Sequence, residues 1–141
     1  MLWPKEFTVD ELNSGPLNRN MTKHLDIIIE EVLDNGIVGT MPVDHRTMQP
    51  FDLLHGGASA VLSETLGSIA SNLIVYGTNK VAVGLNIEAS HLRSAKSGRV
   101  RGVCEAVKIG AQIHVWNTKI YDDKNKLLCT SKLTTSVIVK K

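Results

Sequence analysis

The chain is poor in aromatic side chains: two Trp, two Tyr and two Phe make up 4% of its 141 residues. It has only two cysteines, Cys104 and Cys129, far apart and outside any Cys-x-x-Cys pair. That excludes a disulfide framework and a zinc site of the usual spacing, and reduced core thiols of a cytoplasmic protein are the simplest reading. No apolar run approaches the roughly 18 residues of a membrane span, and the opening MLWPKEFTVDELN lacks a basic stretch followed by an apolar one. Membrane insertion and export are therefore not expected. Charge of one sign is not in excess either. Sixteen Lys and Arg against fourteen Asp and Glu leave a net charge of +2, too little for a general nucleic-acid binder. What remains is an ordinary globular composition, 43% hydrophobic and 21% charged. The length fits one domain, 1–141, able to bury a core.

Periodicity divides this domain into extended segments and one dominant helix. FTVDELNSG reads as a short helix capped by Thr8, with Glu11 three residues later, stopping near Gly15. HLDIIIEEVLDNGIVGTMPV offers two strands separated by Asp34-Asn35-Gly36, a strong hairpin signal. DHRTMQPFDLL reads as a loop, since Pro50 disfavours helix at Gln49. From Gly57 to about Tyr76, Val61, Leu62, Leu66, Ile69, Leu73 and Ile74 recur at three- and four-residue steps, which predicts a helix. Four strands follow: KVAVGLNIEASHL, GRVRGVCEAVKIG, QIHVWNTKIYDD and KLLCTSKLTTSVIV. In the first, Val81, Val83, Leu85 and Ile87 alternate with small or polar residues, as in a half-buried strand. Two strands, a helix and a meander of four strands predict an α+β fold, an antiparallel sheet wrapped around one long central helix.

That helix carries one charge, Glu64. Gly57, Ala60, Glu64, Gly67, Ser68 and Ser71 collect on one face, where small side chains leave room for a second subunit or a ligand. A carboxylate there is either a surface group or one that is partnered or used, because burying it unpaired is costly. The helix is entered through LLHGGAS, which brings glycines to a helix N-terminus. Such a turn is either an ordinary tight connection or a place where free N–H groups receive an anion or a polarised carbonyl. Gly56 lies eight residues before Glu64, about 12 Å along an ideal helix, too far for both to act on one group within a single chain. His24, His45 and His114 show no partner pattern and read as ordinary.

MQPFDLLHGGASAVLSETLGSIAS, with NIEASHLRSAKSGRVRGVC and HVWNTKIYDDKNKLLCTSKLTT downstream, resembles the hotdog-fold acyl-CoA thioesterases of the phenylacetate and 4-hydroxybenzoyl-CoA thioesterase group. Within that group it is most similar to the 1,4-dihydroxy-2-naphthoyl-CoA thioesterases of menaquinone synthesis. It is also similar to the paralogues that clear mischarged aryl carrier protein. The resemblance runs from about residue 25 to 138, and its core is Gln-Pro, His-Gly-Gly and Glu at fixed spacing. It implies a hydrolase that releases free coenzyme A and a carboxylate, with aromatic acyl groups favoured and an acyl or aryl carrier protein as a possible second kind of substrate. Coenzyme A is part of that substrate, and neither a further cofactor nor a metal is implied.

The resemblance also assigns roles. Glu64 is the catalytic carboxylate, either nucleophile or general base for water. The Gly56 N–H polarises the thioester carbonyl. His55 and Gln49 orient the carbonyl or the water, and Ser68, one turn after Glu64, holds the carboxylate or water. Substrate and coenzyme A contacts fall on Gly84, on His91, Leu92, Arg93 and Ser94, and on the turn Lys108, Ile109, Gly110, Ala111 and Gln112. Relatives often carry a basic residue just after the glycine of that turn, where this chain has Ala111-Gln112. The cluster His91, Arg93, Lys96, Arg99, Arg101 and Lys108, opposed only by Glu105, is either a phosphate-binding patch or a solvated strand face. Family members are homo-oligomers, here expected to be a tetramer of paired dimers, with two long helices side by side so that each active site draws on two chains. A non-catalytic acyl-CoA-binding module and an enoyl-CoA hydratase are the alternatives from other classes.

Overall fold

Thr8 opens the first helix, α1 (Val9–Ser14), by a reciprocal cap: its hydroxyl accepts the Glu11 N–H at 3.1 Å while the Glu11 carboxylate accepts the Thr8 N–H at 3.1 Å. A capping box of this kind satisfies two of the four orphan donors of a helix start. The computed structural model describes residues 1–141, and no helix in it is long and apolar enough to cross a membrane. A second short helix, α2 (Met21–His24), was not signalled by periodicity. The hairpin at Asn35-Gly36 joins β1 (Ile28–Val32) to β2 (Gly36–Pro42). The long helix α3 (Gly56–Ile74) starts one residue before the predicted boundary and ends two before it. Then come β3 (Lys80–His91), β4 (Arg99–Ile109), β5 (Ile113–Tyr121) and β6 (Leu127–Val139).

All six strands form one antiparallel sheet in the order β1-β2-β4-β5-β6-β3. The four later strands are thus not a simple meander. β4, β5 and β6 follow one another, but β3 pairs with β6 at the far edge. The β3–β4 link crosses the end of the sheet to reach β2, pinned on the way by Leu92 N–H to Leu128 O, Leu54 N–H to Ala95 O and Val43 N–H to Gly98 O, each 2.7–2.8 Å. A crossover held by backbone bonds leaves no period in the sequence, which is why alternation alone gave the strands and not their order.

α3 packs against β2, β3, β4, β5 and β6. One helix can touch five strands only if the sheet curls around it. Leu62 and Leu66 on α3 are fully buried, each worth about 1.5–3 kcal/mol in burial. Gly39 and Gly102, register partners on β2 and β4, form the notch for Leu66. A Cβ on either would come within 2.6–2.8 Å of its methyls. The core extends to the N-terminal segment, where Trp3 stacks on Trp116 with centroids 6.4 Å apart and donates to Leu33 O.

Two expectations fail on this frame. Val83 and Leu85 are 45% and 63% exposed, and the buried residue of that stretch is Ala82. β3 is an edge strand whose register slips between Gly84 and Asn86, so its alternation breaks and no element of this chain covers the two side chains. The small-residue face of α3 is also divided. Gly67 sits against Leu133, where a Cβ would meet Cδ2 at 2.5 Å, and Ser71 is fully buried. Gly57 is exposed, and Ala60, Glu64 and Ser68 keep partial exposure. Cys104 and Cys129 are free and buried, and burial pushes the Cys104 thiol up to about 12.

Candidate active site

The start of α3 is built by His55. Its backbone is extended, and its Nδ1 accepts the Gly57 N–H at 2.7 Å. A neutral imidazole that accepts at Nδ1 carries its proton on Nε2, so His55 presents a donor outward. Its carbonyl accepts Ala58 and Ser59 N–H at 2.9 and 3.2 Å. The Gly56 N–H has no acceptor in the chain, which leaves it, at the positive end of a 19-residue helix, free to meet an oxygen that gains negative charge. The His91 ring lies over this point, 2.8–3.2 Å from where a Gly56 Cβ would stand. Glycine at 56 therefore makes room for His91 as well as for a ligand. The structure places His91 beside the helix entry, where the resemblance implied a nucleotide contact.

Gln49 lies in the preceding loop, a tight turn in which Asp52 N–H bonds to Gln49 O at 3.0 Å and Asp52 adopts φ 62°. Its side-chain oxygen accepts the Phe51 N–H, so only its amide N–H groups remain to donate to a carbonyl. Phe51, at the tip, is 82% exposed.

Glu64 stands two turns further along α3 in an open cavity of about 430 Å³ shared with Val61, Thr65 and Ser68, and lined from the N-terminal segment by Leu17, Met21 and Thr22. Glu64 makes no ion pair. Gly84 on β3 is bare backbone against it: a Cβ there would stand 3.2 Å from the carboxylate carbon and nearer still to Oε2. Sequence reasoning placed Gly84 among substrate contacts; the structure makes it the floor of the carboxylate. It gave no sign of Leu17, Met21 and Thr22, whose only local signal is two apolar residues four apart in a polar stretch.

The expected coenzyme A contacts do not converge within one chain. His91 pairs with Cys129, and the backbone N–H groups of Leu92 and Arg93 reach Leu128 O; Arg93 and Ser94 are exposed. Lys108 to Gln112 form the β4–β5 turn at the other end of the sheet, where Val137 N–H bonds to Gln112 O at 2.8 Å. From Leu128 to Val137 along β6 is about 30 Å. Of the basic cluster, Arg99 is committed to structure, with Nη1 2.9 Å from Asp26 Oδ2 and Nη2 2.7 Å from Asp26 O. Arg101 covers the Tyr121 ring at 5.0 Å.

Beneath α3 lies a group that the sequence did not single out. Ser71 Oγ accepts the Trp116 indole N–H at 2.7 Å and lies 2.8 Å from Thr135 Oγ1 and 3.0 Å from His114 Nδ1. His114 is thus no ordinary histidine. It is 2% exposed, and burial holds its pKa below the usual value.

Against known proteins, residues 51–129 match the thioesterase superfamily model. The 1,4-dihydroxy-2-naphthoyl-CoA hydrolase of Escherichia coli is 49% identical over 138 residues, 98% of this chain and 100% of that one. The proofreading thioesterase EntH of Cronobacter sakazakii is 44% identical, covering 98% and 99%. The crystal structure of a Haemophilus influenzae thioesterase superposes with a TM-score of 0.91 at 47% identity, over 99% of this chain and 96% of that one.

Proposed function

Because the chain belongs to the thioesterase superfamily, with the hotdog architecture of a thioester hydrolase, we propose that it hydrolyses acyl-CoA esters, aromatic ones foremost, with Glu64 as the catalytic carboxylate. One observation carries the assignment. Glu64 is the single charged side chain of α3, it lines an open cavity, and it has no ion-pair partner there. A carboxylate kept free at a cavity wall can remove a proton from water or attack a carbonyl itself. In either route the C–S bond breaks, the acyl carbon gains oxygen and coenzyme A leaves as the thiol. The Gly56 N–H steadies the oxygen that gains charge, while His55 Nε2–H and the Gln49 amide donate to the carbonyl or the water. Ser68 shares the Glu64 cavity and holds the carboxylate or the water there.

Gly56 and Glu64 lie about 12 Å apart on one helix, and the two coenzyme A segments lie at opposite ends of the sheet. We read both separations as marks of a site completed by a second copy of this chain, in a homo-oligomer such as a tetramer of paired dimers. Unpaired Cys104 and Cys129 support a reducing, cytoplasmic setting for it. The likeness to 1,4-dihydroxy-2-naphthoyl-CoA hydrolase favours a bicyclic aromatic acid as the acyl group. The likeness to a proofreading thioesterase favours a second reading, an aryl group carried on a carrier protein.

The test is free-thiol release from aryl- and alkyl-CoA esters and from an aroylated carrier protein, by the wild type and by Glu64→Asp and Glu64→Ala. Aromatic esters should turn over fastest, and Glu64→Ala should lower kcat by about 10²-fold or more, the scale of a general base. A Glu64→Ala enzyme as fast as the wild type would remove Glu64 from the mechanism.

A further inference from the structure

A second cavity is larger than the one around Glu64. It lies beyond the C-terminal end of α3, about 530 Å³, walled by Phe7 and Leu12 of the N-terminal segment, by Leu73 and Tyr76, and by Val81 of β3. Leu17 and Asn72 line both cavities, so the two spaces meet. The Asn72 side chain is fixed at this junction, donating to Ser68 O and Ala82 O at 2.8 and 3.0 Å and accepting the Ala82 N–H at 3.0 Å. Glu64, Ser68 and Asn72 follow one another at four-residue steps, a single stripe of the helix surface. The groove thus runs about 12 Å from Glu64 to the junction. A benzoyl group stays in the first cavity; an elongated acyl group passes into the second.

Charge gives the groove a direction. The Glu64 cavity contains no cationic side chain. The far cavity contains Lys5, Lys80 and Lys140 against Glu11 alone. Lys5 and Glu11 neutralise each other, with Lys5 Nζ 3.4 Å from the carboxylate and 4.7 Å from the Phe7 ring centroid. Lys80 and Lys140 form no ion pair. They are held at one end of the sheet by the pairing of Lys80 with Val139 and by the bond from Lys140 N–H to Asn79 O at 2.7 Å. Two unpaired ammonium groups close an apolar, aromatic-walled space, and the carboxylate that repels anions sits at its other end.

We propose that this groove is a subsite for the far end of an elongated acyl group that terminates in an anion, with the acyl body on Leu17, Phe7 and Tyr76 and the terminal carboxylate on Lys80 and Lys140. The inference rests on the thioester reading above, and adds to its aromatic esters a longer acyl class that ends in an anion. Ammonium–carboxylate pairs at a partly exposed rim favour the charged ligand modestly, by about fivefold in all.

The experiment compares dodecanedioyl-CoA with dodecanoyl-CoA, equal in length and different only in the terminal charge. In wild type the diacid ester should show a kcat/KM about fivefold higher, and in the Lys80→Gln, Lys140→Gln double variant that ratio should collapse to one. A ratio of one in the wild type, or a ratio untouched by the double variant, overturns the subsite. Benzoyl-CoA is the control for the thioester reading. If no ester, benzoyl-CoA included, releases thiol, that reading fails by itself, and the subsite is judged on equilibrium binding of the two long esters. Equal dissociation constants then overturn it; tighter binding of the diacid that is lost in the double variant sustains it.

Discussion

Two adjoining stripes of α3 handle polar atoms in opposite ways. Toward the sheet, Leu62, Leu66, Ala70 and Ser71 are all fully buried, and the one hydroxyl among them is held by Trp116, Thr135 and His114. Toward the outside, Ala60, Glu64, Ser68 and Asn72 keep partial exposure, and Glu64 is met by bare backbone at Gly84 in place of an ion-pair partner. A polar group whose partners are all internal serves the fold, because losing one leaves a buried atom unsatisfied. A polar group given space and no ionic partner keeps its chemistry for a ligand. The same helix therefore carries an anchor and, in the proposed mechanism, a reagent, about two turns apart.

This contrast can be broken from either side. Ser71→Ala strips the acceptor of the Trp116 indole and a partner of both His114 and Thr135 in one step. We expect a stability loss of about 2–3 kcal/mol, read by denaturant unfolding, while the folded fraction keeps its turnover. A loss of turnover with no loss of stability would show that the anchor takes part in the chemistry. Gly84→Ala attacks the surroundings of Glu64. The new Cβ falls on the free end of the Glu64 side chain, not on backbone, so the carboxylate swings aside at little cost to the fold. A displacement of this size at a reacting group lowers kcat by about tenfold or more. An unaltered kcat in Gly84→Ala would mean that the position of the carboxylate relative to β3 is immaterial to turnover.

How far each stripe was legible follows from the same contrast. The existence and extent of α3, the capping box at Thr8 and the hairpin at Asn35-Gly36 are written in local spacing and were read from it. Glu64 stood out because a lone charge within an apolar period is a local anomaly. The order of the strands was not legible, since the chain passes from β3 to β4 through a crossover held by backbone bonds at Leu128, Ala95 and Gly98. Nor was the Ser71 anchor, because it joins residues from positions 71, 114, 116 and 135, each unremarkable in its own segment. Gly67 and Ser71 were grouped with Glu64 on size, yet the curl of the sheet puts Leu133 and Thr135 against them. The roles expected for residues 91–94 and 108–112 rested on resemblance, and one chain separates them by the length of β6.

A smaller effect sharpens the comparison through pH. Burial holds the folded pKa of His114 below its ordinary 6.5, so above that pH the ring is neutral in both folded and unfolded chains. As pH falls below about 6.5 the unfolded chain takes up a proton that the folded one refuses, and stability is lost until the folded pKa is reached. The slope is at most about 1.4 kcal/mol per pH unit for one proton. Asp44 acts in a separate and lower window: its hydrogen bonds from Arg46 hold it at about 2 against an ordinary 3.8, so its share is lost only as pH falls through that range. His114→Gln should therefore flatten the unfolding free energy just below about pH 6.5 and leave the more acidic limb in place. The pH profile of turnover should keep its shape in the same variant. A stability profile that retains its slope in His114→Gln would place the linked proton outside the Ser71 anchor, and a shifted turnover profile would show that the Ser71 anchor and the Glu64 cavity are coupled.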